Sequence, residues 1–211
     1  MQLAEQYRPT TWDQVVGQEK VVAKIANLRK RGLAGRGYWI NGASGTGKTT
    51  IAQLLAAEVA GEWATDENDA HCLTPKRIDE IERRTAGKPL DGGCWVIVVN
   101  EAHGLNRAAV RRLLTLFDRL PDYVVWIFTT TTEGQAMFED LDDGGPLLSR
   151  CTRLQLQKQG LAPKLAKRAK EIAMAEGLDG KPESAYLRLV QEERNNMRAV
   201  LQRIEVGEMA D

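Results

Sequence analysis

A glycine-rich stretch has the residue types and spacing of a phosphate-binding loop. Residues 42–49 are Gly-Ala-Ser-Gly-Thr-Gly-Lys-Thr and match the pattern G-x-x-x-x-G-K-[ST]. The glycines allow backbone N–H groups to curl around a phosphate. Lys48 would neutralise the β- and γ-phosphates, and the Thr49 hydroxyl would ligate Mg²⁺. An apolar strand pattern precedes the loop and a helical pattern follows it, so that the positive end of a helix would face the anion. The residues predicted to contact the nucleotide are Gly42, Ala43, Ser44, Gly45, Thr46, Gly47, Lys48, Thr49 and Thr50.

A second group of polar residues ends an apolar stretch farther along the chain. Residues 96–103 are Val-Ile-Val-Val-Asn-Glu-Ala-His. Where two acids end such a strand, the first orients the Mg²⁺ shell and the second polarises the attacking water. Glu101 occupies the second position and is predicted to be catalytic. Asn100 occupies the first, as a metal-site residue whose amide oxygen can accept a hydrogen bond from a metal-bound water. Because Asn100 brings no negative charge, we expect weaker Mg²⁺ binding and slower hydrolysis than with aspartate.

Alternating strand and helix patterns predict the elements that position these residues. Short apolar runs indicate strands at 38–41, 95–99, 124–128 and 152–156. Apolar residues at helical spacing indicate helices at 18–31, from the loop to about residue 60, at 75–84 and at 106–119. The runs at 95–99 and 124–128 are typical of strands buried on both faces. Strands that alternate with helices imply an α/β fold with a mainly parallel sheet.

The pattern changes in the last quarter of the chain. From about residue 157 onward no strand pattern remains, and apolar residues at helical spacing indicate three helices, the last of them through Val200 and Ile204. We therefore predict a nucleotide-binding α/β core in residues 1–157 and a small helical lid subdomain in residues 158–211. Residues 132–148 are predicted to be a solvated acidic loop, with Glu139, Asp140, Asp142 and Asp143.

The composition is that of an ordinary globular protein. Of 211 residues, 43% are hydrophobic and 27% are charged. Lys and Arg number 29, as do Asp and Glu, which excludes a polybasic mode of nucleic-acid binding but allows a local basic patch. No apolar run approaches the roughly 18 residues that span a bilayer. The three cysteines form no CxxC pair and indicate neither a zinc site nor a disulfide framework. A reducing cytoplasm without a membrane partner is the expected setting.

Several further motifs resemble those of one family. They are Tyr7-Arg8-Pro9, residues 12–18 (Trp-Asp-Gln-Val-Val-Gly-Gln), residues 100–107 (similar to D-E-x-H-x-L-S-R), Ser149-Arg150-Cys151 (an S-R-C box) and residues 196–199 (similar to a lid segment G-D-M-R-x-A). In this order they resemble the clamp-loader ATPases. These are AAA+ subunits that load sliding clamps onto primer–template DNA, among them the bacterial DNA polymerase III tau/gamma subunit and the small subunits of replication factor C. The resemblance implies an AAA+ P-loop NTPase core followed by a helical lid.

The resemblance also implies roles in nucleotide binding. The opening segment would border the adenine pocket through Tyr7, Arg8, Pro9, Val16 and Gly17. Arg150 would be the arginine finger, which reaches the γ-phosphate held by a neighbouring subunit. Arg198 would be sensor 2, a lid arginine that reports the nucleotide state. Sensor 1 would be Thr131, at the end of the third predicted strand, with Thr130 as the alternative.

The family further implies contacts with DNA and with other proteins. Helix N-termini and a few side chains would grip phosphates of one DNA strand, at positions that match Asn106, Arg107 and Arg111 and, on the preceding helix, Lys76 or Arg77. Other clamp-loader subunits in a ring or spiral of five, a sliding clamp and primer–template DNA are the expected partners, with ATP and Mg²⁺ as cofactors. The helical collar of the family has no counterpart in these residues, so assembly would depend on the ATPase interfaces.

The sequence leaves two other functions open. The chain could bind ATP as a structural or regulatory subunit that hydrolyses little because of Asn100. It could also be another DNA-acting AAA+ ATPase, such as a branch-migration motor, a helicase loader or a transposition ATPase. The S-R-C box and the Tyr7-Arg8-Pro9 opening favour clamp loading.

Overall fold

A five-stranded parallel sheet forms the centre of the computed structural model, which describes residues 2–90, 92–141 and 143–210. The strands are β1 (Arg36–Asn41), β2 (Ala60–Asp69), β3 (Cys94–Asn100), β4 (Val124–Thr130) and β5 (Cys151–Gln155). Their order across the sheet is β2-β3-β4-β1-β5. The predicted α/β fold class is confirmed, and each predicted strand corresponds to an observed one within a few residues.

Helices cover both faces of the sheet, and three further helices follow the last strand. They are α1 (Leu3–Gln6), α2 (Glu19–Arg29), α3 (Lys48–Val59), α4 (Pro75–Arg84), α5 (Arg107–Phe117), α6 (Thr132–Glu139), α7 (Gly144–Ser149), α8 (Ala162–Ala175), α9 (Glu183–Glu192) and α10 (Met197–Glu205). Within the described residues, no helix has the length and apolar character that crossing a membrane requires.

Alternate residues of the central strands pack into two separate cores. In β4, Val125 and Ile127 pack with α2 and α3, whereas Trp126 and Phe128 pack with α4, α5 and α7. All seven residues of β4 are buried. This two-sided burial explains why β3 and β4 are apolar throughout, as parallel strands covered by helices must be.

Two parts of the core were not predicted correctly. No strand was predicted at β2, whose sequence is Ala-Gly-Glu-Trp-Ala-Thr-Asp-Glu-Asn-Asp, because an edge strand with one neighbour needs little apolar surface. The stretch predicted as an acidic loop instead contains α6 and α7, since Phe138, Leu147 and Leu148 are fully buried beneath them. Asp142, which that prediction included, lies outside the described residues.

The last three helices have a hydrophobic core of their own. Leu165, Ile172, Tyr186 and Ile204 belong to it, and Leu3 of α1 packs into the same cluster. The start of the chain therefore contacts the end of the chain. At the carboxyl edge of the sheet, β1, β3 and β4 each end in a polar residue, namely Asn41, Asn100 and Thr130.

Candidate nucleotide-binding site

The glycine-rich loop connects β1 to α3 at the carboxyl edge of the sheet, where open parallel sheets bind ligands. Gly47 has φ of 97° and caps the N-terminus of α3, a left-handed conformation that glycine adopts at little cost. The Lys48 ammonium donates hydrogen bonds to the carbonyls of Gly42 at 2.9 Å and Ala43 at 3.1 Å. Burial lowers the pKa of Lys48, while the carboxylates of Glu101 and Glu133 oppose that shift. An arriving phosphate would supply the counter-charge that this half-buried ammonium lacks.

The lid and the start of the chain close a cavity of about 220 Å³ over this loop. Its lining brings together the predicted catalytic residue Glu101 and most of the residues predicted to bind nucleotide: Tyr7, Arg8, Pro9, Ser44, Gly45, Gly47, Lys48, Thr49, Thr50 and Arg198. Arg198 lies in the first turn of α10, so a lid cation shares a cavity with the loop and with Glu101. The lid approaches the loop closely, since a Cβ on Gly45 would lie 2.4 Å from the side chain of Asn196.

An adjoining apolar cavity of about 120 Å³ has the character of a base-binding pocket. Val16 and Pro9 line it on one side, and Ile51, Leu165 and Ile172 line it on others. Tyr7 lines both cavities and is anchored to the lid by a hydrogen bond of 2.6 Å from its hydroxyl to Glu176. That hydrogen bond raises the pKa of Tyr7.

Three residues predicted to bind nucleotide support the site without lining either cavity. Gly17 has φ of 80°, and a Cβ there would lie 2.5 Å from Leu161 at the start of the lid. Gly42 directly follows β1, and a Cβ there would lie 2.8 Å from Leu156. Ala43 offers its carbonyl to Lys48 and also to the Thr46 hydroxyl, at 2.7 Å. Their roles are in the shape of the loop and in its contact with the lid.

Arg8, which lines the larger of these two cavities, has one hydrogen-bond donor without a partner. One of its terminal nitrogens donates to Gln53 at 3.1 Å and the other pairs with Glu5. Its Nε is buried without a partner. Since buried donors are nearly always paired in native proteins, this unpaired donor is an unusual feature of a residue that lines the cavity.

Glu101 follows β3 in a left-handed conformation, with φ of 51° and ψ of 48°. This backbone is unfavourable for a residue with a Cβ and marks positions under functional constraint. The Nδ1 atom of His103 lies 3.5 Å from a Glu101 carboxylate oxygen and 3.1 Å from the Thr130 hydroxyl. Gly134 leaves room for that imidazole, because a Cβ there would lie 2.5 Å from it. His103 thus connects the carboxylate to the end of β4.

The two threonines considered for sensor 1 have different surroundings. The Thr131 hydroxyl caps α6 by accepting a hydrogen bond of 2.9 Å from the Gly134 N–H. Thr130 is fully buried, and its hydroxyl is beside His103. Because the Thr131 hydroxyl is used in the cap, the geometry favours Thr130, the alternative of the sequence analysis, for contact with the catalytic edge.

Asn100 lies between two neighbouring strands. Its Nδ2 donates to a Glu67 carboxylate oxygen on β2 at 2.5 Å, and its Oδ1 accepts from the Thr129 hydroxyl on β4 at 3.0 Å. Both ends of the amide therefore have partners. Glu67 was not singled out from the sequence, since nothing in its local pattern distinguishes it from other surface glutamates.

Arg150 lies at the amino ends of the parallel strands, whereas the glycine-rich loop lies at their carboxyl ends. It immediately precedes β5, whose residues Cys151 to Gln155 pair with Gly37 to Asn41 of β1. Five residues of strand separate it from that loop by roughly 15 Å, which is farther than its side chain extends. Arg150 is exposed and pairs with Asp118 at 2.9 Å, a surface pair of the kind that contributes little stability.

The residues predicted to contact DNA surround the first turns of α4 and α5. Lys76 and Arg107 are exposed there. Arg77 is engaged within the fold, with a salt bridge of 2.9 Å to Asp66. Asn106 caps α5 by accepting a hydrogen bond of 2.9 Å from the Ala109 N–H. Arg111 pairs with Asp143 at 2.8 Å. Arg77 and Asn106 thus have structural contacts that the sequence analysis did not foresee.

Gln18 is a buried residue whose importance the sequence analysis missed. It is 2% exposed, and its amide nitrogen donates to the carbonyls of Thr46 at 3.3 Å and Gln157 at 3.0 Å. Its amide oxygen accepts from the Gln157 N–H at 2.8 Å. One side chain thus joins the phosphate loop to the segment that leads into the lid.

Replacing Gln18 with alanine is expected to lower the free energy of unfolding by about 2–3 kcal/mol, because one buried and two partly buried backbone groups would lose their side-chain partner. Urea denaturation measures this change. Gln202→Ala serves as the control, since Gln202 is exposed on α10 and its loss should cost less than about 0.5 kcal/mol. Equal stability of the Gln18 variant and the wild type would contradict a role in joining the two parts.

The residues at this edge fit a nucleoside triphosphate with Mg²⁺. The loop offers backbone N–H groups and Lys48, and the Thr49 hydroxyl is an oxygen ligand suited to a hard cation. The Asn100 amide, both ends of which have protein partners, lies beside Thr49 in one cleft. In the described part of the chain, no three His, Cys, Asp or Glu side chains gather as a metal cage. Mg²⁺ would therefore take part of its coordination from nucleotide phosphates and water, as is usual for this ion. The fold and the site define a P-loop nucleotide-binding protein.

Comparison with known proteins gives the family. Residues 38–158 match the family model of the ATPases associated with various cellular activities, AAA. DNA polymerase III subunit tau/gamma of Haemophilus influenzae is 30% identical over 178 residues, which cover 74% of this chain and 25% of the relative. DNA polymerase III subunit gamma of Buchnera aphidicola is 28% identical over 178 residues, which cover 74% of this chain and 46% of the relative. The chain belongs to the AAA family of ATPases.

Solved structures confirm the fold. The RuvB Holliday junction branch migration motor of Thermotoga maritima has a TM-score of 0.71 at 21% identity, covering 94% of this chain and 64% of that one. A variant of the same RuvB has a TM-score of 0.74 at 21% identity, with the same coverage of 94% and 64%. The present chain spans less than half the length of the two curated relatives above, at 25% and 46%.

Proposed function

We propose that this chain is an ATP-hydrolysing clamp-loader subunit that helps to place a sliding clamp on primer–template DNA. The observation that carries the proposal is the similarity to DNA polymerase III tau/gamma subunits, which covers 74% of this chain. The position of Arg150 supports it, because an arginine at the edge opposite its own phosphate loop suits action on a neighbouring subunit.

The described residues suggest how the site works. Backbone N–H groups of the loop and the Lys48 ammonium hold the phosphates, and the Thr49 hydroxyl would ligate Mg²⁺. When bound, Mg²⁺ neutralises charge that develops on the transferred phosphoryl group. Glu101 orients a water for attack and accepts its proton. Arg198 connects the nucleotide to α10, so the lid position would differ between the ATP and ADP states.

Side-chain contacts through His103 connect the Glu101 carboxylate to Thr130 at the end of β4. His103 lies within 3.5 Å of both partners. A shift at the end of β4 would therefore change the orientation of the carboxylate. In this scheme the sensor 1 role belongs to Thr130, while Thr131 caps α6.

The proposed partners are a neighbouring subunit, which Arg150 would contact, and DNA, which α4 and α5 would contact. An oligomer, in a ring or spiral of five as in the family, would bring Arg150 of one subunit to the phosphates of the next. Primer–template DNA would contact the first turns of α4 and α5, where Lys76 and Arg107 are exposed. Helix N-termini and cations at one place are a common phosphate-binding arrangement.

We expect primer–template DNA, together with a sliding clamp, to stimulate ATP hydrolysis. The double variant Lys76→Glu/Arg107→Glu should reduce DNA affinity by about tenfold or more, because two phosphate contacts become repulsive. Steady-state hydrolysis against DNA concentration measures the effect. The matched control is Lys20→Glu/Arg31→Glu, which makes the same charge change at exposed positions on the α2 side of the sheet.

Other outcomes would assign the chain to a different function. Stimulation by a four-way junction, but not by primer–template DNA with a clamp, would indicate a branch-migration motor. Tight ATP binding without turnover in any of these conditions would indicate a regulatory subunit, the alternative that Asn100 favours. Equal DNA affinity of both double variants would contradict the proposed DNA surface.

A further inference from the structure

The amide of Asn100 has a fixed orientation in the structure. An ionised carboxylate can only accept hydrogen bonds, so the Asn100 nitrogen must face Glu67, at 2.5 Å, and its oxygen must face the Thr129 hydroxyl, at 3.0 Å. An aspartate at position 100 would have no donor for Glu67. Two carboxylates at that separation would repel each other. Asparagine at position 100 therefore suits a carboxylate at position 67.

Glu67 lies on the same face of the sheet as the phosphate-loop helix. It pairs in register with Val98 of β3, and Val98 belongs to the core beneath α3. Since side chains two residues apart on a strand share a face, Glu67 and Asn100 both face the α3 side. Glu67, Asn100 and Thr49 line one cleft of about 300 Å³ beside the first turns of α3.

The negative charge is thus displaced by one strand. In the arrangement with two acids, the first acid at the end of β3 orients the Mg²⁺ shell. Here that position is a neutral amide. Asp69 of β2 is its partner in the register, but the carboxylate to which the amide donates a hydrogen bond is Glu67, also on β2. The Asn100 amide holds this carboxylate by a hydrogen bond. Mg²⁺ commonly keeps several waters and is bound through one or two carboxylates and phosphates. A carboxylate on the neighbouring strand can therefore act on the ion through such a water.

We propose that Glu67 replaces the missing acid of position 100 by accepting hydrogen bonds from the water shell of the Mg²⁺ that accompanies ATP. Asn100 then acts as a positioning residue, which orients Glu67 and is itself held by Thr129. The inference rests on the proposed nucleotide and Mg²⁺ site, but not on clamp loading. It predicts that the preference for Mg²⁺-nucleotide depends on a residue of β2.

The test is the effect of Mg²⁺ on nucleotide affinity, which needs no turnover. Fluorescent ADP and a non-hydrolysable ATP analogue are titrated into the full chain with Mg²⁺ and with excess chelator. In Glu67→Gln, we expect the tightening by Mg²⁺ to fall by about tenfold, the size of a lost hydrogen bond to a charged partner. Affinity in chelator should stay within about twofold, because the hydrogen bond of Glu67 is to Asn100 of β3 and not to the phosphate loop.

Two further variants separate a specific role from a general loss of charge. Asp69→Asn makes the same charge change on the same strand, at a carboxylate that caps the next turn by accepting from the His71 N–H at 2.9 Å. It should retain the wild-type Mg²⁺ effect. The exchange variant Asn100→Asp/Glu67→Gln returns the charge to β3 and restores the donor–acceptor pair in reverse. It should regain most of the Mg²⁺ effect lost in Glu67→Gln.

The outcomes are distinguishable. An unchanged Mg²⁺ effect in Glu67→Gln would overturn the inference, and so would an equal loss in Asp69→Asn. Failure of the exchange variant, when its thermal unfolding is like that of the wild type, would overturn the displaced-charge explanation. The absence of nucleotide binding in the wild type, with or without Mg²⁺, would instead overturn the proposed nucleotide site.

Discussion

Replacing Glu101 with glutamine is expected to lower the rate of ATP hydrolysis by about 10²–10⁴-fold, the usual contribution of a positioned general base. Glutamine keeps the size and the hydrogen-bonding reach of glutamate but cannot accept the proton of the attacking water. Glu101 lines the cavity over the phosphate loop. Its left-handed backbone projects it from the end of β3. ATP binding should be retained, since Lys48 and the loop are unchanged.

Glu133→Gln is the matched control for this result. The carboxylates of Glu101 and Glu133 both act on the Lys48 ammonium and raise its pKa against the effect of burial. Glu133 does not line the cavity. Its neutralisation should therefore change hydrolysis by less than about threefold, as expected of a carboxylate that acts only through its field. Equal losses in the two variants would mean that charge near Lys48, rather than a base at position 101, controls the rate.

The predictable part of the site is the part that lies in continuous motifs. The loop at 42–49 and the strand end at 100–101 each combine a local pattern with a fixed chemical task, so each can be found from its own residues. Parallel pairing of β1, β3 and β4 then brings them to one edge. The sheet, its main helices and the lid followed from apolar periodicity, because both faces of the sheet are covered.

The parts that were missed depend on contacts between distant segments. The proposed role of Glu67 depends on its hydrogen bond with Asn100, which lies 33 positions away in the sequence. The role of Gln18 depends on its hydrogen bonds with Gln157, which lies 139 positions away. Neither residue type is unusual at its place in the sequence. β2 was missed for a related reason, since an edge strand with polar residues has no local apolar signal. α6 was missed because acidic residues surround a single decisive aromatic, Phe138.

Arg150→Ala is expected to lower hydrolysis by about 10³-fold or more, the usual effect of removing an arginine finger. The variant should fold normally, because the Asp118 contact at 2.9 Å is an exposed pair that contributes little stability. Cys151, directly after it, is buried, and burial raises the pKa of its thiol to about 12. The S-R-C box therefore combines a core thiol with an arginine that faces outward. Lys158→Ala, a cation removed from the segment after β5, should leave the rate nearly unchanged.

A mixture of the two inactive variants tests whether Arg150 acts between subunits. Glu101→Gln subunits retain the finger, and Arg150→Ala subunits retain the base. In a head-to-tail assembly with independent interfaces, an equal mixture would place an intact finger beside an intact base at about a quarter of the interfaces. Activity should thus return on mixing to about that fraction of the wild-type rate. If Arg150 acted within its own subunit, no combination would contain a complete site, and the mixture would stay inactive. The sheet makes the first result the expected one, because a five-residue strand separates Arg150 from its own phosphate loop.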